Sequence, residues 1–275
     1  MIILAGGDSF VYGSELDDCQ DNHSLNRYGH SLSTFPALLA DKNKYECVAW
    51  PGYGNDSIAR TVIEKCQQLH KEELFVIVSW TFPGRYEFRF NYDTQQRKSP
   101  WYTITPWTIQ SVDNIKKEFI NHIYWVEFDQ IESIKRAKNT GIVDFAKIFY
   151  SHVGNSEYWE IYSSLKEIVY LQNYLMLNNI PYMFTCADNS ILYNYTIDNY
   201  DSTVASLHKQ IDLDRWFFFP ASTDPHGTQK PRGFYQWAVE NKYAMGTTHP
   251  LEQAHLDAYK LMQEKFNELV TKYIQ

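Results

Sequence analysis

The chain has 275 residues, 44% hydrophobic and 16% aromatic, with a formal net charge of −8. That length suits one large domain with a substantial core, and the acidic balance excludes the basic face that nucleic acid requires. No apolar run reaches the roughly 18 residues of a membrane span, and an apolar strand starting at residue 2 leaves no room for a signal peptide, so a cytoplasmic protein is expected. The four cysteines, Cys19, Cys47, Cys66 and Cys186, are scattered without a C-x-x-C pair. Free thiols are expected, with no metal and no cofactor.

Met1 to Ala5 reads as a buried strand. It ends in Gly6-Gly7-Asp8-Ser9-Phe10, which puts a small nucleophile at the carboxyl edge of a sheet, where open α/β folds build their sites. Val11 to His30 is polar and reads as a loop carrying Glu15, Asp17 and Asp18. Ser31 to Lys42 predicts a helix with Pro36 in its first turn. Tyr45 to Trp50 reads as a second strand running into the glycine-rich Pro51-Gly52-Tyr53-Gly54-Asn55-Asp56. Ile58, Val62, Ile63, Cys66 and Leu69 then recur at helical spacing. Leu74 to Ser79, fully apolar until its last residue, reads as a central third strand. This alternation predicts a parallel sheet with helices on both faces.

From Trp80 to about Asn155 the alternation breaks. The aromatic-rich stretch at about 86–155, with a helical reading over Val112 to Ala137, is taken as an insertion after strand three that walls the site. The rest of 1–275 forms the single domain. The pattern resumes with a helix over Glu157 to Asn178, a fourth strand over Ile180 to Cys186 and a short fifth over Asp214 to Phe219. Thr247-Thr248-His249-Pro250 then precedes an amphipathic helix marked by Leu251, Ala254, Ala258, Leu261, Met262, Leu269 and Val270, with proline suited to its first position.

A serine needs a base within hydrogen-bond reach to act as a nucleophile. In a sheet of order 2-1-3-4, the loop after strand one and the loop before the last helix meet at one edge, which brings Ser9 to His249. Taken singly, Ser9 is a turn residue and His249 a surface or capping residue. Asp8, Trp80 and Arg85, at the ends of strands one and three, are the candidate substrate-binding residues. Arg85 either holds an anionic or polar substrate or makes a surface salt bridge. Trp101, Tyr102, Trp107, Tyr124 and Trp125 are either core or a platform for sugars.

Gly7-Asp8-Ser9-Phe10, Gly52-Tyr53-Gly54-Asn55 and His249-Pro250 with Glu252 and Ala254-His255 resemble the blocks of the SGNH/GDSL hydrolase superfamily, in order, spacing and strand context. The resemblance covers about 1–85 and 156–275. It implies a three-layer, flavodoxin-like fold and hydrolysis of acyl esters, including esters on glycans, with a small-molecule or glycan ester as partner; the charge and the lack of an apolar span set nucleic acid and membrane aside as partners. It also implies Ser9 as nucleophile, His249 as general base, and the Ser9 and Gly54 N–H groups as oxyanion donors.

Two positions depart from that pattern. Thr81 stands where the family has an asparagine donor, and Gly246 stands where it has the aspartate that orients the histidine. The replacements open from sequence are Asn55 or Thr81 as donor, and Asp224 or Glu252 as orienting acid. The alternative function is a non-catalytic binding or assembly module on the same fold; the oligomeric state is left open.

Overall fold

A computed structural model describes residues 1–19, 29–90, 101–109, 141–193, 201–223 and 229–274. The first half contains β1 (Ile2–Gly6), α1 (Ser9–Tyr12), α2 (Phe35–Ala40), β2 (Lys44–Cys47), α3 (Asn55–Gln68), β3 (Leu74–Trp80), β4 (Tyr86–Arg89) and β5 (Trp101–Ile104). The second contains α4 (Ile142–Phe149), α5 (Glu157–Leu177), β6 (Tyr182–Cys186), α6 (Ser190–Tyr193), α7 (Ser202–Lys209), β7 (Phe219–Thr223), β8 (Gln229–Arg232), α8 (Phe234–Glu240) and α9 (Glu252–Ile274). The central sheet has four parallel strands in the order β2-β1-β3-β6. The strand order reverses at β1, so the carboxyl ends of β1, β2 and β3 open onto one crevice.

Every residue of β1, β3 and β6 is buried, as parallel strands covered on both faces require. Their side chains alternate between two cores. Leu4, Val76, Val78, Trp80 and Phe184 pack with α3 and α5, while Ile3, Ala5, Phe75, Ile77 and Met183 pack with α2, α8 and α9. Each fully buried Val, Leu, Ile, Phe or Met among them contributes about 1.5–3 kcal/mol. The result is the α/β three-layer architecture expected from the strand and helix pattern.

The differences from expectation are local. The second strand stops at Cys47, and the expected fifth strand shrinks to one parallel bridge from Trp216 to Phe184. The chain then leaves the sheet, and Phe219–Thr223 pairs antiparallel with β8 instead. The expected loop after Ser9 opens with the helical turn α1, and its residues 20–28 lie outside the described residues, as does the expected helix over Val112 to Ala137. In the described part of the insertion, β4 and β5 form an antiparallel hairpin against the start of α3. Ser57 Oγ lies 2.8 Å from Thr103 Oγ1, and Arg60 pairs with Glu87 at 2.6 Å. Because α3 starts at the carboxyl edge, this hairpin stands on the same edge as Ser9. Cys66 and Cys186 are buried and Cys19 and Cys47 half-buried, all four as free thiols.

His255 on α9 is fully buried between Phe35 and Phe234, and its Nδ1 accepts the Phe35 N–H at 3.3 Å. Burial pushes the imidazole down to about 3, with the charge of His249 acting the same way. The unfolded chain takes up this proton below about 6.5 and the folded chain does not, so stability falls with acidification at about 1.4 kcal/mol per pH unit. Asp56, which burial raises to about 7, acts in the opposite direction over the same range. We expect wild type to lose about 2 kcal/mol more than His255→Gln between pH 7 and pH 5 in urea unfolding. The Asp56 contribution is common to both proteins, so equal losses would remove His255 from the account.

Candidate active site

Ser9 is the first residue of α1, directly after β1. Asp8 caps that helix by accepting the Phe10 N–H at 3.1 Å. Gly13 ends it in the left-handed conformation (φ 81), and the Gly13 and Ser14 N–H groups both return to the Ser9 carbonyl. The chain therefore doubles back after one turn. Glu15 also adopts a left-handed backbone (φ 70), which costs a non-glycine residue about 1 kcal/mol.

His249 is held on a tight turn before α9. The Gly246 N–H donates to the His249 carbonyl at 2.8 Å, and the Leu251 N–H donates to the Ala244 carbonyl at 3.0 Å. The ring packs edge-on against Phe10, with centroids 5.1 Å apart. Its Nε2 lies 2.7 Å from Ser9 Oγ, across 240 residues of sequence.

Behind the imidazole stands Glu15, which sequence reading missed. Its Oε1 lies 3.4 Å from His249 Nδ1, while its Oε2 accepts the N–H groups of Thr248 at 3.2 Å and His249 at 3.3 Å. Burial alone would raise this carboxyl. Hydrogen bonds from His249 and the Thr248 N–H, with the charge of His249, outweigh that and hold it below the usual carboxylate value. The Thr248 hydroxyl oxygen also lies 2.9 Å from Nδ1; an ionised carboxylate only accepts, so Glu15 favours the tautomer with the proton on Nδ1, shared between these two oxygens, which leaves the Nε2 lone pair for the Ser9 hydroxyl. The glycine at 246 makes this possible: a Cβ there would overlap Glu15 Oε2. The carboxylate arrives from the nucleophile's own loop, in the space that a side chain at 246 would occupy.

The two other candidates for the orienting acid differ. Glu252 accepts the Asp17 N–H at 2.7 Å and ties that loop to α9, while Asp224 lies outside the described residues.

The oxyanion candidates separate by how they are already engaged. Gly54 is the N-cap of α3, and a Cβ there would come within 2.6 Å of the Arg85 carbonyl, so only glycine lets these loops approach. The Asn55 side chain is buried and turned into the protein. Its Oδ1 accepts the Thr81 N–H at 2.9 Å, and its Nδ2 donates to Ser164 Oγ at 3.1 Å and the Thr81 carbonyl at 3.3 Å. Thr81 Oγ1 donates to Asp8 Oδ2. The expectation that Asn55 or Thr81 aims a donor beside Ser9 is therefore revised: both side chains are spent on holding the loops together. Asn55→Ala would orphan the buried Thr81 N–H and Ser164 hydroxyl, and we expect it to lower stability in urea by about 2 kcal/mol. A variant of unchanged stability would show that these bonds contribute little.

The candidate substrate residues are also redistributed. Trp80 is fully buried against Phe184, on the same face of β3 as Val76 and Val78, and does not line the site. Asp8 is fully buried, with its oxygens engaged by Phe10, Thr81 and Arg85. Arg85 Nη1 lies 3.2 Å from Asp8 Oδ2, so this arginine is turned inward. Trp101 lies under the Arg60 guanidinium, 4.8 Å from the ring centroid. Tyr124 and Trp125 fall outside the described residues.

No protein-family model matches the sequence, and no curated protein does. Among solved structures, the chain is similar to the psychrotrophic esterase EstA from Pseudoalteromonas sp., in a structure inhibited by monoethylphosphonate. The two are 10% identical with a TM-score of 0.41, over 99% of this chain and 98% of that one. A likeness that distant assigns no family. Among the described residues no group of His, Cys, Asp and Glu is arranged to hold a metal ion, and no helix is long and apolar enough to cross a membrane.

Proposed function

We propose that this chain is a serine hydrolase that cleaves an acyl ester through an acyl-Ser9 intermediate. The observation that carries the reading is the contiguous line Ser9 Oγ, His249 Nε2, His249 Nδ1, Glu15 Oε1, with contacts of 2.7 and 3.4 Å. A nucleophile, a base, and an acceptor that orients the base form the constellation of acyl transfer on several unrelated folds.

In the first half-reaction Ser9 Oγ attacks the ester carbonyl carbon while His249 Nε2 takes the hydroxyl proton. The carbonyl oxygen becomes an oxyanion, and the Ser9 N–H is its first donor. It stands at the first position of a helix, where no intrahelical carbonyl reaches it. The Gly54 N–H, at the start of α3, is the second. The bond from carbonyl carbon to leaving oxygen breaks, and His249 returns the proton to that oxygen, releasing an alcohol. In the second half-reaction His249 deprotonates water, which attacks the acyl carbon. Ser9 Oγ leaves with the proton, and a carboxylic acid departs. Glu15 remains ionised throughout and balances the imidazolium formed in each half-reaction.

The test is turnover of short p-nitrophenyl esters and acetylated sugars by the purified protein. Hydrolysis of at least one series supports the reading, and which series is preferred decides whether a glycan ester is the substrate. A protein inert to both is better described as a binding or assembly module, which the commitment of Asn55 and Thr81 to other partners would then explain.

A further inference from the structure

Arg85 joins the loops at the carboxyl edge of the sheet. It follows Pro83-Gly84, where Gly84 turns the chain with φ 83 and the Tyr150 hydroxyl holds the Gly84 carbonyl at 2.7 Å. A single atom of the side chain, Nη1, reaches all three loops at the carboxyl edge. It lies 3.2 Å from Asp8 Oδ2 after β1, 3.3 Å from the Tyr53 carbonyl after β2, and 3.1 Å from Thr81 Oγ1 after β3. The guanidinium also lies over the Phe82 ring, 5.5 Å from its centroid. The Arg85 backbone carbonyl packs against Gly54, the second oxyanion donor. The side chain is only 11% exposed, and Asp8 is fully buried.

This arrangement meets an electrostatic difficulty in the mechanism above. Asp8 puts a buried carboxylate one residue from the nucleophile, on the loop whose Ser9 N–H is to receive the oxyanion. Two negative charges on one short loop, one of them buried, oppose each other, and the reaction would have to build the second beside the first. A buried carboxylate that keeps its charge needs a counter-charge, and Arg85 is the cation placed on it.

We propose that Arg85 is a positioning residue that neutralises Asp8 and thereby keeps the oxyanion site receptive to negative charge, while fastening the three loops that carry the donors. It acts through Asp8, without contact to the substrate. This rests on the acyl-transfer reading of the same site. It goes beyond that reading by giving the Asp8, Thr81 and Arg85 cluster an electrostatic task in place of substrate binding.

The experiment is a double-mutant cycle read in both kinetics and stability. Arg85→Gln is expected to lower kcat about 10²-fold with KM within threefold of wild type, because the uncovered charge opposes the transition state and not the neutral ester. Arg85→Lys, which keeps the charge, is expected to retain most of kcat. Adding Asp8→Asn to Arg85→Gln removes the opposing charge and still caps Phe10, so kcat is expected to recover tenfold or more. The urea midpoint, lowered by Arg85→Gln, is expected to rise again in the double variant. Recovery of stability without recovery of kcat would make the pair purely structural and overturn the proposal. A loss that appears in KM would overturn it in favour of direct substrate contact, and a double variant slower than Arg85→Gln would overturn it outright. Wild type that turns over no ester and takes no fluorophosphonate label would overturn the acyl-transfer reading and this proposal together. Active wild type with no coupling overturns this proposal alone.

Discussion

Ser9→Ala is expected to lower kcat by roughly four to six orders of magnitude on whichever ester the protein cleaves, with little change in KM. The hydroxyl supplies the bond that splits one difficult step into two, and no other described nucleophile touches His249 Nε2. What survives the substitution is the catalysis that oxyanion donors and substrate binding give to water. The fold should tolerate the change. Ser9 is 8% exposed and its side-chain oxygen makes one hydrogen bond among the described residues, to His249, so urea unfolding is expected to move by less than about 1 kcal/mol. A variant that keeps a tenth of wild-type kcat would show that chemistry runs elsewhere.

Glu15→Gln is expected to lower kcat roughly 10³-fold, the second largest effect. The glutamine amide is a donor as well as an acceptor. If its NH2 faces Nδ1, the imidazole proton moves to Nε2, and the nucleophile loses its base. The imidazolium also loses the negative charge that balances it. Relocating the carboxylate checks this independently. In Glu15→Ala, the space beside Gly246 is vacated, and Gly246→Asp added there is expected to recover kcat tenfold or more. The pH dependence has a definite sign. The Glu15 carboxyl is held below its usual value, so its contribution is present at neutral pH and is lost as pH falls through that lowered value. A Glu15→Gln enzyme within fivefold of wild type would leave His249 oriented by Thr248 alone, whose hydroxyl oxygen lies 2.9 Å from Nδ1.

The sheet was legible because its inner strands are buried on both faces and read as short apolar runs, Ile2 to Ala5, Leu74 to Val78 and Tyr182 to Cys186. The fifth strand was not, because Trp216 and Phe217 look like strand residues yet make one bridge before the chain pairs with β8. The meeting of Ser9 and His249 was legible because one follows a glycine-rich strand end and the other precedes the last helix, although that helix starts at Glu252 and Pro250, expected at its first position, bridges Met245 instead. Glu15 was hidden by a reversal of the chain that no periodicity encodes, the one-turn helix closed by Gly13. The available signal was the conjunction of Gly246 without a side chain and an acidic loop following the nucleophile. Trp80 was misplaced although alternation along β3 already put it with Val76 and Val78, facing α3 and α5. Asn55 was misread because its partners, Thr81 and Ser164, are 26 and 109 residues away, and an amide's commitments cannot be read from its neighbours in sequence.

The central claim is that Ser9 is a nucleophile activated by His249. The most direct measurement is mass spectrometry of the protein after exposure to a fluorophosphonate, with peptide mapping of the adduct. The account predicts a single phosphonyl adduct on the peptide containing Ser9, none on Ser9→Ala, and slower labelling of Glu15→Gln. Wild type that remains unlabelled, or that carries its adduct on a different residue, would contradict it.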